Sequence, residues 1–128
     1  APVTGEVLMP FNMDRTVYFA TLDQYKYNPA MIIKAQAGNE VFACADGQVL
    51  ELFQNEELGQ VMVLDLGNGY QAIYGQLQDV KVGIGDTVTP GQAIANVAEP
   101  TKYYSLEGCN LYFGLKKDGV AVNPEELM

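Results

Sequence analysis

The chain has 128 residues, of which 48% are hydrophobic, a size that suits one domain with a packed core and is too small for two ordinary domains. The formal net charge is −9 and only seven residues are Lys or Arg, which excludes a nucleic-acid-binding surface. The 16 acidic residues are dispersed, as on an ordinary solvated surface. We therefore predict a single domain over residues 1–128 with no nucleic-acid partner.

The composition also favours one fold class. Short runs of β-branched and aromatic residues are separated by turn residues, with 13 Gly and 6 Pro in total, as is typical of an all-β domain with little helix. No apolar run approaches the ~18 residues of a membrane span, and Ala1-Pro2-Val3 does not resemble the start of a signal peptide. Cys44 and Cys109 allow one disulfide without requiring it, so their pairing stays open.

The first 29 residues predict an N-terminal arm and a loop. Apolar stretches at residues 7–11 and 16–19 favour edge strands around a Pro-containing turn, and we expect this arm to pack on the main sheet. Residues 22–29 are aromatic and polar without a clear period. Because Asn28-Pro29 imposes an extended or turn backbone, we predict a loop there.

From residue 30 onwards, apolar alternation predicts a regular series of strands that form the core of the domain. These strands are expected at residues 31–34, 40–45, 48–53, 60–66, 70–77, 92–98 and 110–116. Turn sequences at 45–47, 67–69 and 117–119 suit hairpins, which indicates an antiparallel sheet. Residues 60–66 are apolar on both faces, as in a central strand. Helix is expected only near residues 124–126.

Residues 80–94 carry a compact run of Gly, Pro and Asp between alternating apolar residues. The run resembles V-x-x-G-D-x-V-x-x-G-Q-x-I of the barrel-sandwich hybrid modules. Biotinyl and lipoyl carriers share it, but they present a modifiable Lys on an exposed hairpin, a setting that Lys81 and Lys102 lack. The phosphocarrier domains of sugar permeases need a His, and the chain has none.

Four landmarks together give a more specific resemblance. Residues 37–49, 67–74, 85–94 and 123–124 resemble, in order and spacing, the lysostaphin/LytM-type zinc endopeptidases, which cut peptidoglycan bridges. The resemblance covers about residues 30–128 and implies a duplicated hybrid motif in an antiparallel sheet. The ending at 116–124 is most similar to the sporulation branch of the family, the stage II sporulation Q type.

The resemblance also locates the family's zinc site in this sequence. The first ligand motif, His-x-x-x-Asp, falls on Asn28 and Ile32. The helper His of the Tyr-x-His-Leu motif falls on Gln76, and the His-x-His pair falls on Asn110 and Tyr112. All five positions are changed.

These replacements are poor zinc ligands. A catalytic zinc needs about three N, O or S ligands around an open position, with an acid or base nearby. Ile32 supplies neither a metal ligand nor an acid or base. Asn110 is a weak neutral ligand, and Tyr112 could bind zinc as a phenolate only if it ionised far below its usual pKa of ~10. Cys44 and Cys109 alone make a poor site. The expectation is therefore a catalytically inactive domain without a cofactor.

The former cleft is still a candidate for partner binding. Five tyrosines fall in the loops and the strand that would rim it, and tyrosine is favoured at interfaces. They are Tyr25, Tyr27, Tyr103, Tyr104 and Tyr112. The alternative is that these rings fill the space that the metal and the histidines occupy elsewhere, and the sequence leaves both open.

The resemblance implies an extracytoplasmic role. Sporulation members are membrane-anchored ectodomains that pair with a stage III sporulation ectodomain, and other degenerate members activate cell-wall amidases. We expect an extracytoplasmic interaction module whose anchor is not in this chain. The alternatives are peptidoglycan binding without cleavage and a cell-wall endopeptidase with an atypical site.

Overall fold

A computed structural model describes all residues, 1–128, as twelve strands and two short 3-10 helices. The strands are β1 (Val7–Met9), β2 (Asn12–Phe19), β3 (Gln24–Asn28), β4 (Ala30–Lys34), β5 (Glu40–Phe42), β6 (Gly47–Asn55), β7 (Gly59–Gly67), β8 (Tyr70–Gln78), β9 (Thr87–Val88), β10 (Ala93–Val97), β11 (Asn110–Lys117) and β12 (Val120–Val122). The 3-10 helices are η1 (Lys102–Tyr104) and η2 (Pro124–Leu127). The prediction of an all-β domain is confirmed.

Ten strands form one antiparallel sheet in the order β1-β4-β11-β8-β7-β6-β9. β10 joins it by pairing with β5 and β8, and β12 pairs with β11. β2 and β3 form a separate two-stranded hairpin. No helix is long and apolar enough to cross a membrane.

Two of the three predicted hairpin turns are confirmed. Asn68-Gly69 joins β7 to β8 and Asp118-Gly119 joins β11 to β12, and both residues of each turn have positive φ, between 50° and 82°. Such backbones match the twist of the flanking strands. The turn at 45–47 closes no hairpin, because β5 pairs with β10 and β6 pairs with β7 and β9.

The main apolar cluster lies on one face of the sheet, and a smaller cluster around Ile32 lies on the other. In β11, Leu111 and Phe113 belong to the main cluster and Leu115 is also buried, while Asn110 and Tyr112 point to the opposite face. This alternation follows from the two-residue period of a strand. β7 lies between β6 and β8, and its residues 61–64 are all buried, which confirms the predicted central strand.

The N-terminal arm packs on the sheet as predicted, with Val3 in the core and β1 paired to β4. The prediction of a loop at 22–29 is wrong, because β3 occupies residues 24–28. Its pairing with β2 places Tyr25 opposite Tyr18, with ring centroids 5.2 Å apart. Both rings are exposed, so the aromatic face of β3 lies away from the core, unlike the apolar face of a core strand.

Candidate functional site

Neighbouring strands bring the changed zinc positions to one end of the sheet. Ile32 in β4 is opposite Tyr112 in β11, and Tyr112 is opposite Gly75 in β8. Gln76 follows in β8, and Asn110 begins β11. The carry-over of the family's site therefore places Ile32, Gln76, Asn110 and Tyr112 on three adjacent strands.

Gln76 and Asn110 form a buried amide pair. The Gln76 Nε2 group donates a hydrogen bond to Asn110 Oδ1. The backbone N–H of Thr101 donates to Gln76 Oε1 at 3.0 Å, and Asn110 Nδ2 donates to the Gly108 carbonyl at 2.7 Å. Both side chains are buried with all their heavy polar atoms bonded, so neither oxygen is left free for a ligand.

The backbone of Gln76 is held in an uncommon conformation. Its φ is +61°, in the left-handed region, which costs a non-glycine residue roughly 1 to 3 kcal/mol. The Gln76 N–H donates to the Leu58 carbonyl at 2.6 Å, and the Gln76 carbonyl accepts from the Ala98 N–H at 2.9 Å. These contacts from two sides fix the direction of the side chain towards Asn110.

The amide pair is held by three residues that no sequence motif indicates, Thr101, Leu58 and Gly108. Thr101 also donates from its hydroxyl to the Glu57 carbonyl at 2.7 Å and so joins the β6–β7 turn to the segment before η1. All three residues contribute only backbone groups to Gln76 and Asn110. No side-chain signal in the sequence could have identified them.

The positions of the first ligand motif serve packing and a local amide contact. Ile32 is fully buried in a small apolar cluster with Met9, Phe19 and Tyr104. Asn28 is also buried, and its Nδ2 donates to the Pro10 carbonyl at 2.8 Å. The Asn28 side chain therefore connects the hairpin to the segment after β1. The Ile32 side chain makes apolar contacts where the family has a carboxylate.

A zinc ion does not fit these residues. No group of three or more His, Cys, Asp or Glu side chains lies close enough together to hold a metal. Burial, together with the charge of Glu57, raises the pKa of Tyr112 and disfavours a phenolate ligand. Cys44 and Cys109 are free thiols, and burial raises the pKa of each. The donor set is incompatible with the family's metal.

The five tyrosines divide into two groups. Tyr104 is only 3% exposed and packs in the cluster around Ile32, so of the two alternatives that the sequence leaves open, this ring takes the space-filling one and is not a candidate for partner binding. Tyr103 and Tyr112 are half-buried against the same cluster. Tyr25 and Tyr27 are 73% and 52% exposed on the hairpin. Only these two remain as freely accessible anchors.

Contacts beside the site hold the hairpin in place. The Glu107 carboxylate accepts hydrogen bonds from the Thr21 hydroxyl at 2.7 Å and the Thr21 N–H at 3.2 Å. The Leu106 N–H donates in turn to the Thr21 hydroxyl oxygen. On β3, the Lys26 ammonium lies 3.9 Å from a Glu57 oxygen. The hairpin that carries Tyr25 and Tyr27 is thus fastened near the amide pair.

A groove of about 370 Å³ lies on the same face of the sheet. Its lining is mainly apolar and includes Val61, Val63 and Ile73 beside Tyr112. Exposed Phe53 completes this apolar surface. The face therefore offers an apolar groove beside Tyr112.

Comparison with known proteins agrees with this geometry. The model of Peptidase family M23 matches residues 26–124. The chain is 37% identical over 95 residues to the murein hydrolase activator EnvC of Escherichia coli K12, covering 74% of this chain and 22% of that protein. It is 32% identical over 89 residues to stage II sporulation protein Q of Bacillus subtilis 168, covering 70% and 31%.

The chain thus spans less than a third of the length of each of these relatives. Among solved structures, the SpoIIQ–SpoIIIAH pore forming complex contains a chain that matches with a TM-score of 0.81 at 25% identity, covering 100% of this chain and 89% of that one. The family model covers most of the sequence, including all five changed zinc positions. The chain belongs to peptidase family M23.

Proposed function

We propose that this chain is a catalytically inactive M23 domain that acts as an extracytoplasmic protein–protein interaction module in sporulation or cell-wall remodelling. The observation that supports inactivity is the buried hydrogen bond between Gln76 and Asn110. It joins two positions that carry histidines in active members of the family, according to the sequence motifs. Both side-chain amides make structural hydrogen bonds, and Ile32 occupies the position where the family's motif has a carboxylate ligand.

The proposed partner is another membrane-anchored ectodomain of the stage III sporulation type. Stage II sporulation protein Q is a relative, and the SpoIIQ structure is that of a complex with SpoIIIAH. The exposed rings of Tyr25 and Tyr27 and the nearby apolar groove offer contact surface for such a partner. We also propose that the chain lies outside the cytoplasmic membrane.

Calorimetric titration of the chain with the stage III-type ectodomain from the same genome tests this proposal. We expect binding, and we expect the double variant Tyr25→Ala/Tyr27→Ala to weaken it by at least ~2 kcal/mol, or roughly 30-fold. The control is Val120→Ala, which truncates an exposed apolar side chain on β12, a strand that pairs with β11 and not with the hairpin or β6. Unchanged affinity of the double variant would show that the tyrosines are not anchors.

A second candidate function is activation of a cell-wall amidase. It is favoured by the 37% identity to a murein hydrolase activator, the higher of the two identities reported above. The same titration with an amidase from the same genome separates the two candidates. Binding of the amidase, together with a rise in its activity on peptidoglycan, would favour this function over the sporulation role.

A further inference from the structure

One side of β6 is open along most of its length. The strand pairs with β7 throughout, but on its other side it pairs with β9 only at Gly47 and Gln48. Val49 still exchanges hydrogen bonds with the loop at Gly85 and Asp86, each at 2.8 Å. Beyond it, the outer side of residues 50–55 makes no backbone hydrogen bond to any other segment.

This edge has one of the features that usually prevent strand addition, a register irregularity between Val49 and Glu51 at its start, and beyond that point its register with β7 is regular. Proteins protect open edges by keeping them short or by placing Lys, Pro or bulges along them. The edge strands β1, β5 and β12 have three residues each, and β2 carries Asp14 and Arg15 at a register irregularity. Residues 50–55 extend over roughly 20 Å with no Pro or Lys, and Leu50 and Phe53 are 43% and 42% exposed.

The side chains along this edge specify what would bind beside it. In β6, Glu51 is opposite Val63 and Phe53 is opposite Val61. Glu51 and Phe53 therefore both face the apolar groove. Leu52 points to the other face, where it packs against the core. A strand added here would place alternate side chains next to Glu51 and Phe53. The complementary pair is one basic and one apolar residue, two positions apart.

Charge favours a different protein over a second copy of this chain. The chain has a net charge of −9, and Glu56 and Glu57 follow the open edge directly in the β6–β7 turn. Pairing two such edges would bring like charges together, which is unfavourable across a strand pair. A partner with a basic edge segment would instead gain attraction and backbone hydrogen bonds at once.

We propose that the stage III-type ectodomain binds by adding an extended strand to residues 50–55 of β6, with a basic side chain beside Glu51 and an apolar side chain beside Phe53. This interface rests on the proposed function and names the surface that performs it. The hairpin with Tyr25 and Tyr27 is held near the end of the same edge through Lys26 and Glu57. The two surfaces would then contact one partner.

Hydrogen exchange of the chain, alone and with the ectodomain, tests the interface together with two charge-reversed variants. Binding should slow exchange of amides within residues 50–55 by at least about tenfold. Glu51→Lys should weaken binding by at least about tenfold, whereas Glu125→Lys, an exposed reversal in η2, should change affinity less than about twofold. Both variants should melt within about 2 °C of the wild type, because both side chains are exposed.

The other outcomes are distinguishable. If the ectodomain binds but residues 50–55 are not protected and Glu51→Lys binds equally well, the interface is overturned and the proposed function stands. A dimer of the chain alone that Glu51→Lys disperses would assign the edge to a second copy, and protection by the amidase only would assign it to that enzyme. Absence of any binding to the ectodomain would overturn both the interface and the sporulation role.

Discussion

Gln76 and Asn110 are 34 residues apart in the sequence and share a direct hydrogen bond in the interior of the domain. The bond links β8 to β11 at two positions where the family's sequence motifs place catalytic histidines, the helper histidine at Gln76 and the first histidine of the His-x-His pair at Asn110. It is supported by the Thr101 N–H and the Gly108 carbonyl. The two amides are therefore part of the scaffold that joins the two strands.

Asn110→Ala should therefore destabilise the fold. It leaves the Gln76 Nε2 group and the Gly108 carbonyl without their partner, and an unsatisfied buried polar group costs about 1 to 3 kcal/mol. We expect a loss of about 2 to 3 kcal/mol in the free energy of unfolding, measured with urea. Gln54→Ala removes an exposed amide contact to Gln60 and serves as the control, with a change within about 0.5 kcal/mol. Equal effects of the two substitutions would contradict a structural role for the buried pair.

The second prediction concerns zinc. The purified chain should contain no stoichiometric zinc by elemental analysis, and a chelator should leave its melting temperature unchanged, because a metal that binds only the folded state would raise it. One tightly held zinc per chain would contradict this account of the site.

A variant with the family's residues provides the positive control for zinc. It combines Asn28→His, Ile32→Asp, Gln76→His, Asn110→His and Tyr112→His. Zinc should raise the melting temperature of this variant, since ligands are now present, and should leave that of the wild type unchanged. A variant that folds and still ignores zinc would show that these positions do not form the site.

The third prediction separates the tyrosines by burial. Tyr104→Ala should cost about 3 kcal/mol or more of stability, because it opens a cavity beside Ile32 and Met9. The double variant Tyr25→Ala/Tyr27→Ala should cost no more than about 1 kcal/mol, mainly through the lost contact between Tyr25 and Tyr18. Urea unfolding monitored by circular dichroism measures both. Similar costs for the two variants would mean that the hairpin rings also belong to the core.

The fourth prediction is instability at alkaline pH. Burial raises the pKa of Tyr74, Tyr104 and Tyr112 above the usual value of 10.0. Above pH ~10 the unfolded chain loses these protons and the folded chain keeps them, so stability is complete below pH ~10 and falls as the pH rises beyond it. The slope should approach about 1.4 kcal/mol per pH unit for each such tyrosine. Urea unfolding between pH 8 and 11 would refute this if stability stayed constant.

Much of the sheet could be predicted from the sequence, because the apolar period and the turn residues are local. β7, β8 and β11 and the turns at Asn68-Gly69 and Asp118-Gly119 are examples. β3 could not be predicted, since its exposed Tyr25 and Tyr27 show no burial period and its pairing with β2 contributes no core residue beyond Asn28 and Phe19. The hairpin predicted at residues 45–47 is absent, because turn residues do not determine which strands pair with each other, and here β5 pairs with β10 and β6 with β7 and β9.

The family's sequence motifs indicate which residues of this chain to examine, but only partly what their side chains do. The family's motifs located Asn28, Ile32, Gln76, Asn110 and Tyr112. Sequence alone could not show that Gln76 and Asn110 bond to each other, because this depends on a backbone φ of +61° and on neighbouring backbone groups. It likewise could not show that Tyr104 is buried or that the edge of β6 is open, since both depend on long-range packing.

Digestion of purified peptidoglycan tests most directly whether the domain is catalytically inactive. The chain, incubated with peptidoglycan and with zinc at several concentrations, should release no soluble fragments by chromatography, because the proposed function requires that the site neither holds the metal nor activates water. The reference is an active M23 endopeptidase under the same conditions. Fragment release that survives rigorous purification and is lost on substitution of a single acidic residue would contradict an inactive interaction module.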